Sequence, residues 1–127
     1  MANKERILKA IDDLEAQGNY GFFEDRCSYH TIEGNRCIVG LVMHDPRPTD
    51  ALLPTVASLI NVTEQGIKEV LALPDYHDLK LKLRDFNAAE LELLAMLQFI
   101  HDECALEGLK LEFCAGKLRK EVEIHYA

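Results

Sequence analysis

Cys37, His101 and Asp102 are the residues whose types could do covalent chemistry together: a thiol nucleophile, an imidazole base and a carboxylate to orient it. A thiol attacks well only where a base or a helix N-terminus lowers its pKa. This reading, a cysteine-dependent hydrolase or transferase, therefore needs Cys37 to open a helix and His101 to lie within hydrogen-bond reach of it. Metal binding is a second chemistry, because Cys27-x-x-His30 and His101-x-x-Cys104 are two short-spaced pairs of soft ligands, enough for a tetrahedral zinc. The standard Cys-x-x-Cys pair is absent, and a Cys27–Cys37 disulfide is a further use of the same atoms. Against these stands an architectural reading with neither metal nor cofactor. In it His101 is a core histidine tied to a backbone carbonyl or to Tyr29, and the cysteines are buried, inert thiols. A helical wheel favours architecture: Leu93, Leu97, Ile100 and Cys104 share a face and His101 falls beside them, while Asp102 points about 100° away, so the adjacent pair should not form a dyad by itself.

The elements that must position these residues are mainly helical. Ile7, Leu8, Ile11 and Leu14 recur at helical spacing opposite charged residues, with Asn3 as a cap and Gly18 as the stop. From Asn19 to Arg36 the pattern breaks; Glu33-Gly34-Asn35 is a natural turn, and a short β-hairpin near residues 27–39 fits there. The apolar run 37–43 is read as a buried helix, and the two prolines in 44–48 as a connection. Helices are expected over about 50–60 and 63–73, the second ended by Pro74. The alternation Leu79-Lys-Leu-Lys-Leu-Arg84 fits strand and helix alike. Asn87 and Glu90 spell a capping box that opens the longest helix, 88 to about 107, stopped by Gly108. Its centre is apolar almost all round, as in a helix that other elements surround. The tail from Leu109 is read as helix in preference to strands. The expectation is one domain, residues 1–127, built as a helical bundle around the 88–107 helix.

Composition bounds the function. The 127 residues are 48% hydrophobic and 28% charged with a formal charge of −8, values that exclude disorder and disulfide-dense scaffolds. That charge is repelled by nucleic acid and by anionic lipid, so neither is an expected partner. No stretch reaches the roughly 18 apolar residues of a membrane span, and the first residues lack a signal-type apolar core, so a cytoplasmic location is expected. Ala57 to Val70 has the spacing of a helix-turn-helix, with Asn61 at the turn and Ile67 and Val70 anchoring the second helix. Its would-be recognition helix presents Glu64, Gln65, Lys68 and Glu69, a poor surface for phosphates, which favours plain helix packing over a DNA-binding regulator. Acidic faces carrying Asp12, Asp13, Glu15, Glu90, Glu92 and Glu103 could instead meet a basic partner.

Cys27-Ser-Tyr29, Gly34-Asn-Arg-Cys37-Ile-Val-Gly40 and Leu97-Gln98-Phe-Ile-His101-Asp102 together resemble the signature of a family of small uncharacterised phage and bacterial proteins. That signature runs Cys-x-Tyr, a turn, Gly-x-x-Cys-Ala-Val-Gly with an Ile-Pro-Asp segment after it, and later Leu-Gln-x-x-His-Asp. The likeness covers the first 43 residues and the long helix, about half the chain, in the same order. This chain departs from it after Gly40, where it reads Leu-Val-Met-His44-Asp45, and it has no tryptophan, which the family often carries in its C-terminal helix. The resemblance implies a phage or prophage origin and a mainly helical fold, and no activity. Small acidic phage proteins are often accessory factors that bind and block a host component such as a defence protein, so a host protein is the implied partner. On this reading Cys27, Tyr29, Cys37, Gly40, Gln98, His101 and Asp102 join loop to long helix as structure, and the surface does the work.

Overall fold

The computed structural model describes residues 2–23, 26–27, 29, 35–44 and 53–127. Seven helices are described: α1 (Ala2–Gln17), α2 (Ile38–Val42), α3 (Val56–Gln65), α4 (Lys68–Leu71), α5 (Pro74–Lys82), α6 (Ala88–Leu106) and α7 (Leu111–His125). A two-strand antiparallel pairing, β1 (Phe22–Phe23) with β2 (Arg26–Cys27), sits between α1 and α2 in register Phe22 to Cys27. The protein is therefore a mainly α bundle. α6 packs against α2, α3 and α7, and α1 lies along α7 and α2. No helix among the described residues is long and apolar enough to cross a membrane.

The core forms where the helical periodicities converge. Ile7, Ile11 and Leu14 of α1, Ile38 and Val39 of α2, Leu94 and Leu97 of α6 and Leu118 and Val122 of α7 are all fully buried. Arg119 clamps α7 to α1 by meeting Asp12 at 2.8 Å and Glu15 at 2.5 Å, and Lys4 meets Glu123 at 3.2 Å. Such partly exposed pairs fix register more than they stabilise, at about 0–1 kcal/mol each.

Several boundaries differ from expectation for identifiable reasons. The hairpin lies at 22–27, earlier than the 27–39 region, and the expected turn at Glu33-Gly34 lies outside the described residues, as do positions 45–52 of the proline connection. α3 cannot begin at 50, because Pro54 would sit inside it without a backbone donor; it starts at Val56, capped by Thr55 Oγ1 accepting from Ser58 N at 3.0 Å. It then runs straight through Asn61, the supposed turn, and stops at Gly66, which takes φ +66°. The helix-turn-helix geometry is thus not formed: the break falls five residues late and is followed by a helix of only four residues. Pro74 opens α5 at its first position, where a missing N–H costs nothing, and the extended Leu73 before it keeps α4, which ends at Leu71, from running on. Residues 79–82 are helical, with Leu79 and Leu83 on the buried side and Leu81 exposed, so the alternation reports a helix face with one leucine pointing out.

The capping box of α6 is present: Asn87 Oδ1 accepts from Glu90 N at 2.8 Å and Glu90 Oε1 accepts from Asn87 N at 3.0 Å. Asn3, expected to cap α1, lies inside that helix and donates instead to Asp85 O at 2.8 Å and Glu90 Oε1 at 3.0 Å, so it ties α1 to the start of α6. Tyr126 Oη donates to Glu90 Oε2 at 2.7 Å. Burial raises the Glu90 carboxyl, but its donors, the Asn87 backbone, Tyr126 and Asn3, together outweigh that and hold it below its ordinary range. A carboxylate depressed in the folded state stabilises above its unfolded pKa of about 4.3, and that contribution is lost on acidification. Wild type is therefore expected to exceed Glu90→Gln in urea midpoint at pH 7, with the gap narrowing as the pH falls below about 5. A gap that is constant with pH would contradict this role.

Candidate functional site

Cys37 is the N-cap of α2. It has no exposed surface, and its Sγ accepts from Gly40 N at 3.4 Å. The expectation that it opens a helix holds, and the thiol is occupied in capping that helix. Three residues on, Gly40 lies against the backbone of Tyr29: a Cβ at position 40 would stand 2.1 Å from Tyr29 O, far inside van der Waals contact. Tyr29 is buried and donates from Oη to Pro54 O at 2.6 Å. Tyr29, Cys37 and Gly40 thus form one knot that joins the first loop, α2 and the approach to α3. The Cys-x-x-Gly spacing is explained by a cap and a close approach one helical turn apart.

His101 is likewise fully buried on the face shared with Leu97 and Cys104, as the wheel requires. Its ring meets Tyr20, not Tyr29, edge to face at 5.3 Å between centroids. The expectation that His101 and Asp102 stay apart is corrected. His101 Nδ1 donates to Asp102 Oδ1 at 2.9 Å, because these two side chains reach across the 100° that separates their Cβ atoms. Gln98 Nε2 donates to the same oxygen at 2.8 Å, so the Gln-x-x-His-Asp run is a local hydrogen-bonded unit. His101 Nε2 and Gln98 Oε1, both buried, have no hydrogen-bond partner among the described residues.

Beside this unit lie Tyr20, Cys104 and Cys114. Tyr20 Oη donates to Leu109 O at 2.6 Å and so pins the α6–α7 turn. Burial, reinforced by Cys114 and Cys104, raises the Tyr20 phenol well above its usual range. The Cys114 thiol is pushed up to about 12 by burial and by neighbouring Cys104. A buried thiol that stays protonated at neutral pH is a poor nucleophile. Iodoacetamide at pH 8 should leave Cys114 of the native protein unmodified while labelling it fully in denaturant, as read by peptide mass spectrometry. Native labelling at the rate of an exposed cysteine would show this packing to be wrong.

Of the four candidate zinc ligands, the side chains of His101 and Cys104 are described, both buried on one face of α6. No group of three or more His, Cys, Asp or Glu side chains among the described residues is placed to hold a metal. His30 and the Cys27 side chain, and with them the Cys27–Cys37 pairing, lie outside the described residues.

One convergence went unread in the sequence. Asp85 Oδ2 accepts from His44 Nε2 at 2.6 Å and from Arg6 Nη1 at 3.2 Å, while Arg6 Nη2 donates to Val42 O and its guanidinium covers Phe86. The hydrogen bond from His44 holds the Asp85 carboxyl below its ordinary range. Forty-one and 79 residues separate its partners from Asp85, so no spacing announces the cluster. It joins α1, the end of α2 and the start of α6.

The surface differs from expectation most on α6. Glu90 is buried in the capping box, and Asp12, Asp13 and Glu15 are ion-paired. Of the acidic candidates, Glu92 and Glu103 remain as exposed groups on α6. Between and beyond them Met96, Phe99 and Leu106 are 49%, 65% and 54% exposed. The helix is covered on part of its circumference only, and its outer face carries three large apolar side chains.

Comparison of the chain with family models, with curated proteins and with solved structures returned no match.

Proposed function

We propose that this chain is a small, non-enzymatic accessory protein of phage type that binds, and by binding inhibits, a host protein, a defence component being the leading class. The observation that carries this reading is the outer face of α6. Glu92, Met96, Phe99, Glu103 and Leu106 follow one another at intervals of four, three, four and three residues, the spacing of a seam that another helix packs against. Large apolar side chains left on a surface in a contiguous row mark an interaction site. A second copy is a poor occupant, since antiparallel pairing about Phe99 sets each seam glutamate against an apolar residue and parallel pairing sets like charges together. A partner helix with apolar residues and Lys or Arg opposite Glu92 and Glu103 satisfies both chemistries.

The burial of Cys37 and His101 supports the same division of labour: the residues with reactive atoms hold the fold, and the skin selects the partner. The test is affinity capture from host lysate with wild type, Phe99→Asp, Leu106→Asp and, as control, Ile124→Asp, which alters an exposed apolar residue on α7. A host protein retained by wild type and by the α7 variant and lost by both α6 variants is the expected result. Retention by all four, or turnover of a thioester or peptide substrate that depends on Cys37, would overturn the proposal.

A further inference from the structure

A cleft of about 350 Å³ opens beside α5 and the start of α6. Its floor is apolar and buried, made by Leu59 of α3 with Leu83 and Phe86, and its rim carries His77, Lys80 and Arg84. His77 and Lys80 lie one turn apart on α5, and Arg84 follows just past its C-cap, Leu83. Among the described residues no carboxylate lines the cleft.

The chain is acidic, with a formal charge of −8, and four of its cations meet acids: Lys4 with Glu123, Arg6 with Asp85, Lys9 with Asp13, Arg119 with Asp12 and Glu15. His77, Lys80 and Arg84 make no ion pair among the described residues. Arg84 is held in place by donating from Nη1 to Leu81 O at 2.7 Å. The nearest acid in sequence, Asp85, is turned to His44 and Arg6. An apolar hollow of ligand size with a few convergent polar groups at its mouth is the usual form of a small-molecule site.

We propose that this cleft binds a small organic anion, with an aryl or medium-length acyl body on the Leu59–Leu83–Phe86 floor and a carboxylate, sulfonate or phosphate against Lys80 and Arg84. The site is separate from the outer face of α6 and does not depend on the protein-binding reading. Burial of the body supplies affinity and the cations supply selectivity for the charge.

Two fluorescent probes with a common apolar body test this. 1-Anilinonaphthalene-8-sulfonate carries the anion and N-phenyl-1-naphthylamine does not. The intact protein is expected to bind the sulfonate at one site at least tenfold more tightly than the neutral amine. Raising NaCl from 0.05 to 0.5 M should weaken only the sulfonate, because it screens the rim charges. Lys80→Glu with Arg84→Glu should abolish the tenfold preference, and the milder Lys80→Gln with Arg84→Gln should reduce it, each at unchanged helical content by circular dichroism. Phe99→Asp should leave it intact. Displacement by octanoate against octyl phosphate then distinguishes the headgroups. Equal affinity for the two probes, sulfonate binding unchanged in both charge variants, or its loss on Phe99→Asp would overturn the proposal.

Discussion

Gly40→Ala should destabilise the protein by about 3 kcal/mol, near the upper end of overpacking costs. The added methyl would stand 2.1 Å from Tyr29 O and 2.8 Å from Tyr29 C, and both are backbone atoms that cannot rotate aside. Relief requires α2 to lift from the Tyr29 segment, which would also disturb the Cys37 cap and the Tyr29 bond to Pro54. Against a total stability of about 5–15 kcal/mol for a domain of this kind, such a loss is large. Gly116→Ala is the matched control. It lies within α7, an added Cβ there meets nothing within 4 Å, and alanine in a helix interior is favoured over glycine by about 0.8–1 kcal/mol. Urea denaturation of the two variants should move the midpoint in opposite directions; a neutral Gly40→Ala would mean that α2 and Tyr29 are not in contact.

Leu97→Ala should cost about 2–5 kcal/mol, the range for emptying a fully buried leucine site, whereas Phe99→Ala, two residues on, should change stability by less than about 0.5 kcal/mol. Leu97 has no exposed surface, while Phe99 is 65% exposed. The contrast is informative because both residues are large, apolar and central to the same helix. It separates what α6 contributes to folding from what it leaves available for binding. A loss of 2 kcal/mol or more on Phe99→Ala would mean that the outer face is covered and the seam is not free.

The features legible in the sequence are those set by short-range chemistry. Asn87 and Glu90 define the start of α6 because both halves of a capping box lie within four residues. His101 faces the core because 100° per residue places it beside Leu97 and Cys104 whatever surrounds the helix. The failures arise where long-range packing or side-chain reach decides. Asn61 looks like a turn residue only if the helix before it is already complete; Pro54 delays that helix and Gly66 ends it. The His101–Asp102 bond depends on reach beyond Cβ, which a wheel does not represent. Arg6, His44 and Asp85 meet only after α1, α2 and α6 are assembled. An apolar helix centre is equally compatible with complete coverage and with an open binding face, so Met96, Phe99 and Leu106 could be placed on the surface only by the positions of α2, α3 and α7.

The most direct test of the central claim is the dissociation constant for the captured host protein, measured with wild type, Cys37→Ser and Phe99→Asp. Serine at position 37 removes the thiol and preserves an N-cap oxygen. Aspartate at position 99 forfeits the burial of one aromatic side chain, worth about 2 kcal/mol or roughly thirtyfold in affinity. Cys37→Ser is predicted to bind within threefold of wild type and Phe99→Asp at least thirtyfold more weakly. Loss of binding on Cys37→Ser, with Phe99→Asp unchanged, would contradict the account.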